Sequence, residues 1–273
     1  MSIVHDVSEE EINSLTQSIL TRYGIDFTCY EPKSLRRRII RVLNQLNLSS
    51  IHELWVQFLR DVNFVHIFMN EISVGMTSMF RDPILWKRLK ARMLKYPADK
   101  SISIWHAGCS TGEEVFSFGI LLKETNLQER AKAFASDFSQ NALVEAKAGV
   151  YHKIKMIENE TNYREYSAFQ DFGKYYTSDG KYATLSVDLI KHVSFTYHNL
   201  ITDAYPQGFD IIFCRNVMIY FDSIAKVKML DKFYDALNPG GLFIIGFFDT
   251  MNYLIDNKKF ELVDEDAKIF KKI

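Results

Sequence analysis

The stretch that decides the fold is residues 101–114, Ser101-Ile102-Ser103-Ile104-Trp105-His106-Ala107-Gly108-Cys109-Ser110-Thr111-Gly112-Glu113-Glu114. Its apolar start predicts a short β-strand over 101–105, and the small residues that follow predict a turn over 107–112. A helix is predicted from 113 to 122. Ligands of doubly wound sheets bind beyond the carboxyl ends of the strands, so this turn, with Gly108, is the first candidate binding element.

Strands and helices alternate along the chain from this point to its end. Further strands are predicted over 131–136, 209–214 and 242–246, with a last, edge strand over 268–272. Helices are predicted over 140–147 and 223–237. This alternation predicts an α/β fold with a doubly wound, mostly parallel sheet and helices on both faces. A small hairpin, 175–176 with 181–185 around an Asp-Gly turn, interrupts the alternation.

The first part of the chain has a different pattern of apolar residues. Apolar residues recur there at helical spacing, and no β-rich run precedes residue 101. We therefore predict a small all-helical domain over 1–75 and an α/β domain over 76–273, with a β-hairpin insert near 165–190. Four arginines, Arg36, Arg37, Arg38 and Arg41, crowd one of the predicted helices, and their interpretation is either a docking face or a solvated helix surface.

Composition excludes several classes of protein. The 273 residues are 47% hydrophobic and 25% charged, which argues against a disordered chain. The net charge of −1 excludes a globally basic nucleic-acid coat, so no nucleic-acid partner is expected. No apolar run reaches the roughly 18–20 residues that span a bilayer, and no secretory signal is evident. We therefore expect a cytoplasmic protein that does not insert into membranes.

Cysteine and histidine give no sign of a metal site. The three cysteines, Cys29, Cys109 and Cys214, lack CxxC spacing, which fits a reducing compartment. The seven histidines include no HxxxH or HExxH pair. Cys214 ends an apolar strand without an identified histidine partner, so we interpret it as a buried thiol and not as a nucleophile.

The turn at Gly108–Gly112 favours a particular class of cofactor. It is not GxGxxG and it lacks the lysine of a phosphate loop. The helix after it opens with Glu113 and Glu114, which repel a pyrophosphate but suit a cation or a sugar hydroxyl. This favours S-adenosylmethionine, a sulfonium without phosphate, over NAD or ATP. The alternative is a tight turn with acids that cap a helix.

Two later strand ends add to this pattern. Asp137 ends the second predicted strand, where an acid can accept both ribose hydroxyls; the alternative is an Asp that starts a turn. Asn216 and Tyr220 follow the strand over 209–214 and so fall at the predicted ligand edge of the sheet.

Five motifs in order resemble those of a known family. They are Thr77-Ser78-Met79-Phe80-Arg81-Asp82-Pro83, Ala107-Gly108-Cys109-Ser110-Thr111-Gly112-Glu113-Glu114, Ala135-Ser136-Asp137, Phe195-x-x-x-Asn199-Leu200, and Phe209-Asp210-Ile211-Ile212-Phe213-Cys214-Arg215-Asn216-Val217-Met218-Ile219-Tyr220-Phe221-Asp222. Nearly the whole chain resembles the CheR-type chemotaxis methyltransferases, which methylate glutamate side chains of chemoreceptors. The resemblance implies S-adenosylmethionine as cofactor, S-adenosylhomocysteine as product, and chemoreceptor cytoplasmic helices as partners.

The resemblance also implies roles for individual residues. The implied cofactor contacts are Thr77, Arg81, Glu114, Asp137, Asn199, Leu200, Arg215 and Asn216. Arg81 and Tyr220 are the implied catalytic residues. Arg36, Arg37, Arg38 and Arg41 would meet glutamate-rich receptor helices, and the hairpin insert corresponds to a segment that grips a receptor tether in some members. The chain departs from the family at Gly75-Met76, where Asn-Glu is usual, and at Gly246-Phe247-Phe248-Asp249, where Gly-His-Ser-Glu is usual.

A glutamate nucleophile explains why the sequence offers no general base. A carboxylate with a reference pKa of about 4.3 is already ionised near neutral pH, so no Ser-His-Asp arrangement is needed. We predict a monomeric S-adenosylmethionine-dependent protein-glutamate O-methyltransferase. The alternatives are a binding module that senses S-adenosylmethionine and a methyltransferase that acts on a non-receptor protein, a small molecule or RNA.

Overall fold

A computed structural model describes residues 7–72, 77–249 and 251–273. The chain divides into two compact units. The first comprises residues 1–74 and 218–229, and the second comprises residues 75–217 and 230–273. The departure noted at Gly75-Met76 lies outside the described residues. Within the described ranges, no helix has both the length and the apolarity that crossing a membrane requires.

Among its described residues, the first unit contains the start of the helix Ser223–Ala236 and four complete helices. The complete helices are α1 (Glu9–Tyr23), α2 (Pro32–Gln45), α3 (Ile51–Arg60) and α4 (Phe64–Ile72). The start of α1 is fixed by a capping box, in which the Ser8 hydroxyl accepts from the Glu11 amide and the Glu11 carboxylate accepts from the Ser8 amide. Gly24 ends the helix in a left-handed conformation, which glycine adopts without steric cost.

The structure corrects the prediction that all four arginines of α2 form one exposed face. Arg38 is only 6% exposed, because its spacing from Leu35 and Val42 puts it on the buried face of the helix. Its Nη1 donates to the Ile72 carbonyl at 2.6 Å. Arg41 is half-buried and donates to the Glu71 carbonyl. Only Arg36 and Arg37 are exposed, so Arg38 belongs to the interior of the first unit.

Tyr220 belongs to this first unit and explains part of the burial of Arg38. The Arg38 guanidinium carbon lies 3.5 Å from the centroid of the Tyr220 ring, which is a close cation–π contact. The Tyr220 carbonyl accepts from the Glu31 amide at 2.9 Å. Desolvation lowers the pKa of Arg38, and the neighbouring tyrosines partly oppose that effect.

A seven-stranded sheet forms the centre of the second unit. Its strands are β1 (Ile102–Ala107), β2 (Ala131–Asp137), β6 (Val193–Tyr197), β7 (Phe209–Cys214), β8 (Leu237–Ile245), β9 (Phe260–Asp264) and β10 (Ile269–Lys272). Their order is β6-β2-β1-β7-β8-β10-β9, and the first five are parallel. The strand order reverses between β1 and β7, which is where such sheets bind ligands.

The last two strands correct one prediction about the sheet. The strand near 268–272 is not at the edge, because β10 pairs antiparallel with both β8 and β9. β9 takes the edge position. It was not predicted because it is short and its burial pattern alternates poorly, with two exposed residues in sequence.

The helices of the second unit are interspersed with its strands along the chain. They are α5 (Pro83–Met93), α6 (Glu113–Glu124), α7 (Gln140–Ala148), α8 (Lys153–Tyr166) and the end of α9 (Ser223–Ala236), which starts in the first unit. The predicted α/β fold with a mostly parallel sheet is confirmed. Its core includes five fully buried residues, Ile104, Trp105, Phe118, Phe213 and Ile244.

The insert is larger than the predicted hairpin. Strands β4 (Tyr176–Ser178) and β5 (Tyr182–Leu185) form the hairpin, and β3 (Val150–His152) adds a third antiparallel strand. Helix α8 was not predicted, because two of the four residues on its buried face are Asn159 and Tyr166 and its pattern is only weakly apolar.

A buried carboxylate joins the insert to α6. Glu124 accepts hydrogen bonds from Tyr163 at 2.7 Å, from Tyr166 at 2.7 Å and from Tyr175 at 2.9 Å. The Lys90 ammonium lies 2.7 Å from the same carboxylate. Burial opposes ionisation of Glu124, but these donors outweigh it and hold its pKa below the usual value.

We predict that Glu124→Gln lowers the free energy of unfolding by about 2–4 kcal/mol, because it weakens three hydrogen bonds to a charged acceptor and leaves Lys90 without its partner. Urea denaturation at neutral pH measures this. Glu129→Gln is the matched control, since Glu129 pairs with Lys191 at the surface with 79% of its side chain exposed. Equal stability of the two variants would contradict the role of Glu124.

Candidate functional site

The turn after β1 forms the floor of the candidate site. Gly108 has φ +80°, a left-handed conformation that glycine favours. A Cβ at this position would lie 2.4 Å from Cγ2 of Val217, so Gly108 also permits a close approach of the two strand ends. The amides of Gly108 and Cys109 donate to the Ser136 carbonyl at 2.8 and 2.9 Å. The turn is thereby tied to the carboxyl end of β2.

Asp137 lies at that end of β2, beside the turn. Its Oδ2 accepts from the Ser110 amide and its Oδ1 from the Ser139 amide, each at 2.9 Å. Burial raises the pKa of Asp137, although these amides oppose the effect. Each carboxylate oxygen has a second lone pair, so the side chain can also accept two ligand hydroxyls.

The residues after β6 lie next to Asp137. The His198 amide donates to the Asp137 carbonyl at 3.1 Å. Asn199 then forms a turn in which its Oδ1 accepts from the Ile201 amide at 2.9 Å. Leu200 is buried, and its carbonyl accepts from the Tyr205 hydroxyl. The half-buried Asn199 and the apolar Leu200 thus border the same strand end as Asp137.

Arg215 is the centre of the charged part of the site. It follows β7 and is 8% exposed. Its Nη1 lies 3.1 Å from Glu114 Oε2, and its Nη2 lies 2.8 Å from Asp82 Oδ2 and 2.9 Å from the Arg81 carbonyl. One guanidinium therefore joins the end of β7 to the first turn of α6, through Glu114, and to the segment before α5, through Asp82 and the Arg81 carbonyl.

Glu114 is held from its other side by His106. The Nδ1 of this buried histidine lies 2.9 Å from Glu114 Oε1, and its ring stacks on Phe213 at 4.8 Å. Burial opposes ionisation of Glu114, but His106 and Arg215 outweigh it and lower its pKa. Glu113 faces elsewhere, since it binds Thr111 and Lys155 and burial raises its pKa.

The segment that carries Arg81 is held in an unusual backbone conformation. Phe80 and Asp82, on either side of Arg81, have φ values of +52° and +58°. The Phe80 amide donates to Ser117 Oγ on α6, and the Arg81 carbonyl accepts from Trp86 Nε1. Thr77 is half-buried four residues earlier. Asp82 pairs with Arg215 through its Oδ2 at 2.8 Å.

Asn216 and Asp249 join the ends of β7 and β8. Asn216 is half-buried with φ +57°, and its amide donates to Asp249 Oδ2 at 3.0 Å. Burial raises the pKa of Asp249 to about 6, against the effect of two amide donors and of Arg215 and Arg81. Burial likewise raises the pKa of Cys214, which leaves this thiol protonated and inert.

The second unit thus brings together most of the residues singled out in the sequence. Gly108, Glu114, Asp137, Asn199, Leu200, Arg81, Arg215 and Asn216 all lie at the carboxyl edge of its sheet or on the segment bonded to it. Sequence reasoning missed His106, Asp82 and Asp249. His106 could have been found, because it is a polar residue in an otherwise apolar strand. Asp82 and Asp249 could not, because they are marked only by their contacts with Arg215 and Asn216, which are distant in sequence.

The residues present fit a nucleoside with an amino-acid tail. Arg215 Nε and Asp249 Oδ1 are buried without hydrogen-bond partners in the described part of the chain, which leaves one donor and one acceptor for a ligand. Asp137 suits a ribose, and Leu200 an adenine edge. No group of three or more His, Cys, Asp or Glu side chains suited to a metal occurs among residues 7–72, 77–249 and 251–273.

Comparison with known proteins agrees with this geometry. The family model described as the SAM-binding domain of CheR methyltransferase matches residues 75–269, and that of the CheR all-alpha domain matches residues 10–73. The chain is 32% identical over 263 residues to "Putative methyltransferase Cher3" of Pseudomonas putida, with 96% of each protein covered.

Two further relatives are named chemotaxis protein methyltransferase. The protein of Listeria innocua is 29% identical over 242 residues, covering 87% of this chain and 89% of the relative. The protein of Escherichia coli is 29% identical over 263 residues, covering 91% of this chain and 87% of the relative.

We predict that Gly108→Ala weakens binding of S-adenosylhomocysteine at least tenfold, because the new methyl group clashes with Val217 beneath the site. Left-handed backbone costs alanine about 1–2 kcal/mol, and overpacking adds about 1–3 kcal/mol. Isothermal titration calorimetry measures the affinity and thermal unfolding measures the stability.

Gly180→Ala is the matched control for this variant. Gly180 has φ +95°, but a Cβ there would meet no atom within 4 Å among the described residues. It carries the backbone cost alone and should bind S-adenosylhomocysteine normally. If Gly108→Ala binds as tightly as Gly180→Ala, the turn is not the floor of the cofactor site.

Proposed function

Because the chain belongs to the CheR methyltransferase family, we propose that it methylates glutamate side chains on the cytoplasmic helices of chemoreceptors. The methyl donor is S-adenosylmethionine, and the products are glutamate methyl esters and S-adenosylhomocysteine. The observation that carries the proposal is the meeting of Asp137, Glu114 and Arg215 at one sheet edge, with Arg81 bonded to the same arginine.

The reaction mainly requires the protein to align the attacking carboxylate with the methyl group of the sulfonium. S-adenosylmethionine supplies a methyl group on a sulfonium, which a nucleophile can displace in line. A glutamate carboxylate is ionised at neutral pH, so the chain needs no base to activate it. Alignment of the reacting groups alone can supply about 7–11 kcal/mol of the barrier reduction.

Arg81 is the proposed orienting residue. A guanidinium can hold one oxygen of the substrate carboxylate and leave the other oxygen available to attack. The support for this role is the rigid segment around Arg81, whose carbonyl is fixed by Trp86 and Arg215 and whose neighbours both have positive φ. A rigid backbone reduces the entropy lost when the side chain binds substrate.

Tyr220 is the second proposed catalytic residue. Its hydroxyl can donate to the substrate carboxylate, or its ring can pack beside the sulfonium methyl. The support is its contact with Arg38, which fixes the ring within the first unit.

The remaining residues are proposed to bind the cofactor. Asp137 takes the ribose hydroxyls, and Asn199 and Leu200 border the adenine. Thr77, Gly108, Glu114, Arg215 and Asn216 complete the set.

Arg36 and Arg37 are the proposed docking residues on the helical domain. Both are exposed on α2, where they can meet glutamate-rich receptor helices. Arg38 and Arg41, which α2 directs toward the Ile72 and Glu71 carbonyls, are not part of this surface. The reaction is proposed to take place in the cytoplasm and to need one copy of the chain.

Two alternatives use the same cofactor site. A module that only senses S-adenosylmethionine is favoured by the exposed Phe247 and Phe248, which replace the family's usual His-Ser. A methyltransferase for another substrate would keep turnover but not form base-labile esters on receptors. Labelled methyl donor, a receptor fragment and release of methanol by base distinguish all three.

We predict that Arg81→Ala lowers kcat at least 100-fold in this methanol-release assay, while affinity for S-adenosylhomocysteine stays within about fivefold. Arg88→Ala is the control, because Arg88 is an exposed arginine of the following helix. A normal kcat for Arg81→Ala would refute its orienting role.

We predict that Arg36→Glu/Arg37→Glu raises the KM for receptor fragment roughly three- to tenfold at low salt, because two attractive charges become repulsive. The salt dependence of KM should also weaken. Arg60→Glu, an exposed reversal on α3, should leave KM unchanged. The docking surface lies elsewhere if both reversals give the same KM.

A further inference from the structure

The turn that follows β8 contains a buried acid that the proposed reaction does not use. Asp249 is 3% exposed. Its amide donates to the Gly246 carbonyl at 3.0 Å, which closes a tight turn over residues 246–249. Its Oδ2 accepts from the Gly246 amide at 2.6 Å and from the Asn216 amide at 3.0 Å. One oxygen therefore joins the carboxyl ends of β7 and β8.

This link contacts the backbone of Asn216. The φ of Asn216 is +57°, in the left-handed region that asparagine adopts more readily than most residues, and the hydrogen bond from its amide to Asp249 stabilises this conformation. Gly246 packs against it so closely that a Cβ on Gly246 would lie 2.8 Å from Asn216 Cγ. Asp249 thus fixes the backbone of Asn216 from one side while Gly246 fixes its side chain.

The charges around Asp249 are those of the candidate site. Arg215 and Arg81 both favour its ionised form, and its charge in turn raises the pKa of Cys214. Burial outweighs the arginines and raises the pKa of Asp249 to about 6. At neutral pH the group is therefore mostly ionised, at a cost to the stability of the folded chain. The carboxylate is hydrogen-bonded to Asn216 at the candidate site, and carboxylates with shifted pKa values occur often at functional sites.

We propose that Asp249 is a positioning residue, which holds Asn216 in the conformation that binds the cofactor. This inference rests on the proposed function, in which Asn216 contacts S-adenosylmethionine. Asp249 acts through the Asn216 amide, and the charge on its carboxylate strengthens that hydrogen bond.

The test compares the affinity for S-adenosylhomocysteine and the thermal stability of three variants of the full chain at pH 7.5. Asp249→Asn keeps the shape and one acceptor oxygen but not the charge, so affinity should fall roughly three- to tenfold. Its Tm should be equal or higher, because the cost of burying a charge is removed. A purely structural role would lower affinity and Tm together.

The second comparison asks whether Asp249 acts through Asn216. Asn216→Gly removes the side chain and tolerates the left-handed backbone. In that background Asp249→Asn should change affinity less than twofold, because the group that it positions is gone. Asp256→Asn is the matched control, since Asp256 is an exposed acid of the same region that accepts from the Lys258 amide.

The outcomes separate this inference from the proposed function. Normal affinity in Asp249→Asn, or losses that simply multiply in the double variant, would overturn the role of Asp249 while leaving the cofactor site intact. Failure of the unaltered chain to bind S-adenosylhomocysteine would overturn the proposed function itself.

Discussion

The buried guanidinium of Arg215 is the interaction on which the candidate site depends. It compensates two carboxylates, Glu114 and Asp82, and holds the Arg81 carbonyl at the same time. Loss of one partner from a buried ion pair of this kind typically costs about 3–5 kcal/mol, because the other charge is left uncompensated. The same contacts hold the Arg81 carbonyl, so the proposed orienting role of Arg81 depends on the same buried guanidinium.

The α/β fold could be predicted from the sequence because its main strands are short apolar runs that end in small or polar residues. The turn at Gly108 and the strand that ends at Asp137 were found in this way. The three-stranded insert and α8 were harder to predict. The buried face of α8 is built from groups such as Asn159 and Tyr163, which are buried because they find polar partners, and hydrophobic periodicity does not detect such partners.

Residues of the site could be predicted where a local sequence pattern identifies them. They could not be predicted where only a contact with a residue distant in sequence identifies them. Asp137 stands at a strand end, and its position is visible in the sequence. For Arg38 the local sequence pattern gives the wrong prediction, because a charged residue on an amphipathic helix is expected at the surface. It is buried because Tyr220 and the Ile72 carbonyl, both distant in sequence, contact its guanidinium.

The most direct test of the central claim is a crystal structure of the chain with S-adenosylhomocysteine bound. We expect the ribose hydroxyls to lie within hydrogen-bond distance of the Asp137 carboxylate and Arg215 still to pair with Glu114. A ligand bound away from the turn at Gly108, or an Arg215 side chain that leaves Glu114 when the ligand binds, would contradict it.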